Sequence, residues 1–258
     1  MPNLPTHLYM VNRLVERLDW GCLSGNLGSL YLGSTAPDMR AMTKWPRERT
    51  HFAPLSVREV GTGPREMFRL HPELADYRTL SNATRAFILG YISHLVADET
   101  WITTIYRPSF DPPEGSAMAA GNKVEAHIWD RALQLDMDRR ALPHVGGHLQ
   151  PIAEMPADAV GRDVSFLGAE ALEEWKEWVG RFVVREFTWE RLRRSLNRMY
   201  RGDDEVQQAV DGFLDEMPGS LEQVYQRIPR ETIDAYQQRV LEETVVQVQE
   251  HWGPAYPD

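Results

Sequence analysis

Residues 87–98 read Phe-Ile-Leu-Gly-Tyr-Ile-Ser-His-Leu-Val-Ala-Asp, an apolar run that carries two ionisable groups, His94 and Asp98. The run is long enough for about three helical turns. At i and i+4 the two groups share one face of a helix, a turn apart. Burying a carboxylate in such a run is costly unless it is paired or coordinates a metal. Gly90, one turn earlier, is a poor helix former whose missing side chain leaves room for something to approach the backbone. Two readings follow: a core histidine bonded to a capping aspartate, or a pair of metal donors.

Helical periodicity dominates the rest of the chain. Leu8, Val11, Leu14, Val15 and Leu18 recur at helical spacing, and Asp19 and Gly21 break the pattern. A short helix is expected over 23–32, ending at Gly33. The prolines at 37, 46, 54 and 64 make 34–64 read as loop. A central helix is expected over 82–105, a Pro- and Gly-rich connector or lid over 108–121, and a helix from Ala117 to Asp138. Residues 143–163 read as loop, followed by helices near 168–180, 182–199, 204–216 and 230–251. Val245-Val-Gln-Val lies inside the last helical pattern. The expected fold is all-α, one domain over 1–258, with a metal-site region over 1–140 and a helical C-terminal part, 164–258, packed on it.

Composition narrows the function. The chain has 258 residues, 42% hydrophobic and 26% charged, and a formal charge of −10. An acidic balance disfavours long nucleic acid, which is bound by clustered Lys and Arg. The basic residues from Arg181 to Arg201 are interspersed with Glu186 and Glu190 and read as a solvated helix face. Cys22 is the only cysteine, so there is neither an intramolecular disulfide nor a thiolate metal cage. The N-terminal segment lacks the features of a secretory signal, and no apolar stretch is long enough for a transmembrane helix. A cytoplasmic protein is expected. The residues carry no signal for an oligomeric state.

Four of the eight histidines fall at informative places: His7, His51, His94 and His127. Asp38 follows Gly33-Ser-Thr-Ala-Pro37, a turn that would present a carboxylate at a helix end. Imidazole nitrogen and carboxylate oxygen suit zinc, and also iron or manganese. His144 and His148 flank Val-Gly-Gly and read as solvent-facing loop positions; His71 and His251 carry no particular signal.

Taken in order, Pro5-Thr-His7, Leu32-Gly-Ser-Thr-Ala-Pro-Asp38, Thr50-His-Phe52 and the 87–98 run resemble the zinc-dependent phospholipase C family. That family is an all-α fold related to the single-strand-specific zinc nucleases and holds up to three zinc ions in a buried cluster. The resemblance covers about the first 140 residues. It implies that Asp38, His51, His94 and Asp98 hold one ion and that His7 and Asp98 reach a second, Asp98 bridging the two. The family's third site departs here. No histidine follows Asp98 closely, and Arg131 stands where a glutamate is expected four residues after His127. The third site is either rebuilt from His127, Asp130 and Glu99, or absent.

Arg131 shares a helical stripe with Val124, His127, Ile128 and Leu135, where a guanidinium needs an anion. That anion is a protein carboxylate or a substrate phosphate. The resulting expectation is a zinc-dependent hydrolase of a small phosphoester or phospholipid headgroup, with two or three ions. Asp38 would orient or deprotonate the attacking water, and Arg131 would bind the substrate anion. Non-hydrolytic iron or manganese chemistry on a small acid is the alternative for the same scaffold, and a binding protein without activity is a third.

Overall fold

The computed structural model describes residues 2–18, 20–112, 118–155, 160, 164, 166–183 and 185–253. Among them there is no strand. The helices, in chain order, are α1 (Leu4–Val15), α2 (Leu27–Thr35), α3 (Arg40–Thr43), α4 (Arg47–His51), α5 (Thr62–Leu70), α6 (Asn82–Trp101) and α7 (Arg107–Phe110). They continue as α8 (Lys123–Val145), α9 (Leu149–Glu154), α10 (Ala169–Val183), α11 (Glu190–Tyr200), α12 (Asp204–Asp215), α13 (Gly219–Arg227) and α14 (Arg230–Trp252). The all-α expectation holds, and no described helix is long and apolar enough to cross a membrane.

Helix α6 is the axis of the molecule. Ser81 caps its start by accepting a hydrogen bond from the Thr84 amide, and every residue from Ala86 to Trp101 is buried. A helix with apolar residues all round must be surrounded. Helix α2 packs along it most extensively, with α14, α5 and α1 against other parts of its surface. The Tyr236 hydroxyl of α14 donates to the Ala97 carbonyl at 3.2 Å, and its ring meets Trp101 edge-on. Immediately after Trp101 the chain makes a π-helical turn, Ile102–Tyr106. Helix α8 joins the two halves, packing on α1 on one side and on α11, α12 and α13 on the other.

Several expected loops are helical. The segment 34–64 contains α3, α4 and the start of α5, together with a 3-10 turn, Ala36–Met39. Three of its four prolines sit where helices begin: Pro37 in the first turn of that 3-10 piece, Pro46 just before α4, and Pro64 in the first turn of α5. Proline lacks only an N–H that would go unpaired there, so it starts a helix as readily as it breaks one. For the same reason Pro151 is accommodated in the first turn of α9, inside the expected 143–163 loop, while α8 runs on past Asp138 to Val145. Helices α5 and α13 were not expected. Asp19, the start of the helix expected from Ala117 and the centre of the 108–121 connector lie outside the described residues.

Candidate metal centre

The five residues expected to form a cluster come together from four places in the chain. His7 lies in the second turn of α1, after Pro5. The start of that helix is tied to α8 by two hydrogen bonds to Asp138, from Asn3 Nδ2 at 2.7 Å and Thr6 Oγ1 at 2.8 Å. Asp38 lies on the 3-10 turn after α2, and at 29% exposure its side chain is the open edge of the cluster. His51 ends α4, where Phe52 stops the helix in the left-handed conformation at φ 55°. His94 and Asp98 face the same way from α6. His7, His51, His94 and Asp98 are each about 1% exposed.

The donor atoms converge. His51 Nε2 lies 3.3 Å from Asp98 Oδ2 and 3.8 Å from Asp38 Oδ1. His94 Nε2 is 3.9 Å from Asp98 Oδ2, and His7 Nε2 is 3.6 Å from Asp98 Oδ1. Donors on a tetrahedral zinc, each about 2.0–2.2 Å from the ion, are about 3.3–3.6 Å from one another. The spacings therefore suit such an ion after small side-chain adjustments. The His7 and His94 rings stack at 3.7 Å with 11° between planes, and His51 meets His94 edge-on.

The far sides of the His94 and His51 rings are oriented by their neighbours. His94 Nδ1 bonds the Ser34 carbonyl at 2.8 Å, which makes Nδ1 the protonated nitrogen and leaves the Nε2 lone pair facing the cluster. His51 Nδ1 pairs with Thr50 Oγ1 at 3.0 Å, and the Tyr91 hydroxyl in turn donates to the Thr50 carbonyl. On the inner side, His7 Nε2, His51 Nε2, His94 Nε2 and Asp98 Oδ1 are buried without a hydrogen-bond partner. Buried polar atoms are almost always paired. Four orphans aimed at one another mark a place for a cation.

Electrostatics agree with that reading. Burial holds the His7 imidazole well below its usual range, and the neighbouring His94 lowers it further. Burial also takes His51 down to about 3, against the pull of Asp98. Both rings are thus neutral, the form that ligates metal. Burial pushes the Asp98 carboxyl up, but the neighbouring His51 ring and the Arg47 charge outweigh it and hold it well below the usual carboxylate range. Asp38 is raised, chiefly by desolvation.

The residues considered for a third site are elsewhere engaged. His127 Nδ1 pairs with the Tyr200 hydroxyl and its Nε2 with Tyr106. Asp130 accepts from Trp101 Nε1 at 2.9 Å and from Gln134 Nε2 at 2.8 Å, so both its oxygens are used. Glu99 turns away to accept the Gly61 and Gly63 amides at 2.7 and 2.6 Å. Arg131 is not brought to the cluster either. Its Nη1 donates to Gln134 Oε1 at 2.7 Å and Asn3 Oδ1 at 3.3 Å, within the network that anchors α1. His148, expected in solvent, is buried against Tyr31, because the segment carrying it is helical and packs on α2.

One charged group at the cluster went unread in the sequence. Arg47 Nη2 donates to Asp98 Oδ2 at 2.9 Å from a buried position. Arg47 and His51 are spaced i, i+4, which puts them on one face once 47–51 is helical; reading 34–64 as loop hid the pairing. Ser34 and Thr50, the partners of the outer nitrogens, carry no spacing signal at all.

Residues 6–128 match the family model described as zinc dependent phospholipase C. No curated protein and no solved structure matches the chain. The matched span contains all five clustered side chains, and over it the chain is similar to the zinc-dependent phospholipase C family.

Proposed function

We propose that this protein is a metal-dependent hydrolase of a small phosphoester or a phospholipid headgroup, built around two zinc ions. Asp38, His51, His94 and Asp98 would hold one, and His7 with Asp98 the other. The observation that carries this is the set of four unpartnered, buried donor atoms, three imidazole nitrogens and a carboxylate oxygen, facing one another. The similarity of residues 6–128 to the zinc-dependent phospholipase C family supports the same chemistry. On this reading 1–140 is the metal region of one all-α domain, and the helices of 164–258 buttress α6 and α8.

Bound zinc supplies Lewis acidity toward a phosphoryl oxygen and a nucleophilic water at neutral pH. The chain's own groups do the rest. The Ser34 carbonyl and Thr50 hydroxyl hold His94 and His51 in one orientation, so the ligand set needs little rearrangement. Asp38, at the open edge and with its proton affinity raised by burial, takes the proton of the attacking water at a carboxylate oxygen. The apolar surroundings of α6 keep bulk water from the reacting atoms.

Elemental analysis of protein purified without added metal should find about two zinc ions per chain, and the loaded protein should hydrolyse bis(p-nitrophenyl) phosphate. A chelator should abolish hydrolysis, and zinc should restore it. Protein that carries no divalent metal, or that carries zinc and cleaves neither this ester nor a phospholipid headgroup, would defeat the proposal.

A further inference from the structure

Arg47 is a fixed positive charge lying where the proposed function puts metal ions, and that reading gives it no task. Its side chain is 9% exposed, and only Nη2 is engaged, with Asp98. Nε and Nη1 are buried with no hydrogen-bond partner. The guanidinium lies among the site groups, since its charge acts on Asp38, His51 and Asp98 alike. A buried ion pair made for stability satisfies its remaining donors, because an unpaired buried donor costs about 1–3 kcal/mol or more when charged. The carboxylates on which its charge acts, Asp38 and Asp98, are both in the proposed ligand set. With ions bound they would be neutralised further, leaving the centre strongly positive and the Arg47 donors still unmet. An anion is what such a centre lacks.

We infer that Arg47 binds the anionic group of the substrate, one of its two unpartnered N–H groups donating to a non-bridging oxygen of a phosphoryl group that enters past Asp38. The inference rests on the metal-hydrolase reading and adds the group that recognises the phosphoryl charge. Guanidinium suits the task through its several planar, permanently charged donors, which a lysine ammonium does not reproduce.

The test is calorimetric binding of inorganic phosphate to zinc-loaded wild type, R47K and R47M at fixed ionic strength, with zinc measured on the same samples. R47M should bind phosphate about 10- to 100-fold more weakly, the range for one lost charge-assisted hydrogen bond, while its zinc content stays at the wild-type level. R47K should fall between the two. Unchanged phosphate affinity in R47M overturns the inference. So does a gain of zinc, which would make Arg47 a stand-in for a cation, or a loss of zinc, which would make it only a support for Asp98. If R47M does not fold, R47K decides alone: weaker phosphate binding supports the inference and equal binding overturns it. A wild type that takes up no metal fails the hydrolase reading and this one together, whereas uptake of metal with phosphate binding indifferent to Arg47 fails this inference only.

Discussion

Two buried aspartates a helix apart, Asp98 and Asp130, separate residues that wait for a ligand from residues already satisfied. Asp98 keeps one oxygen unpartnered, whereas both oxygens of Asp130 are taken by Trp101 and Gln134. Asp98→Ala should therefore remove most of the bound zinc, while Asp130→Ala should leave zinc in place and cost stability only. About 1–3 kcal/mol is expected for the indole and amide donors that it strands. Zinc content and urea unfolding of the two variants check this, and equal zinc loss from both would show that Asp98 has no bridging role. The membership of the cluster was legible through the resemblance of four short segments to a known family, because the His94–Asp98 spacing alone fits a capped core histidine as well as a pair of metal donors. The third-site candidates His127 and Asp130, and the expected anion binder Arg131, were not distinguishable in that way. Spacing puts a side chain on a face, but only the fold says that Tyr200, Trp101 and Asn3 are there to meet it.

At the scale of elements, the cluster depends on how closely α2 approaches α6. A methyl group built on Gly90 would lie 2.0 Å from the Leu30 carbonyl oxygen, and one on Gly33 would lie 2.1 Å from the Phe87 carbonyl oxygen. The two glycines interlock the helices backbone to backbone, which is what brings the Ser34 carbonyl to His94 Nδ1. Gly90→Ala should separate the helices and cost roughly 3 kcal/mol or more through overpacking. Zinc affinity should fall with it, because His94 loses its orienting partner. Thermal unfolding with and without zinc measures both effects; a Gly90→Ala protein with wild-type stability would mean that the helices can slide apart freely. That Gly90 admits something to the backbone was legible in the sequence, but its partner was not. Helix boundaries were legible where periodicity was long, as in α6 and α14. They were hidden in 34–64 because a proline that opens a short helix looks the same in sequence as one that ends it.

For the whole molecule, acid stability reflects buried groups of opposite tendency. Desolvation lowers His51 from 6.5 to about 3 and also lowers His7, so their contribution to the metal-free fold is present above pH 6.5 and is lost as pH falls. Each such group is worth about 1.4 kcal/mol per pH unit across its window. Desolvation raises Glu99 from 4.5 to about 7 and Asp138 from 3.8 to about 6, so their contributions grow as pH falls through those windows. The two pairs oppose each other between about pH 4.5 and 6; Asp138 offsets part of the loss down to pH 3.8, and the lowered groups, Asp98 included, titrate on below that. Metal-free protein should thus show nearly flat stability down to about pH 4.5 and a steep decline beneath it. Denaturant titrations across pH 3.5–7 test this, and a steep fall beginning at pH 6.5 would show that Glu99 and Asp138 ionise in the ordinary range. Asp38 stands apart from all of these groups, on a short 3-10 turn at the edge while the other four donors are sealed inside helices. Under the proposed function, the traffic of ions in and out of the protein then runs through the movement of that single turn. How tightly zinc is held and how quickly it is exchanged would be set by different parts of the chain, and either property can drift in evolution without dragging the other along.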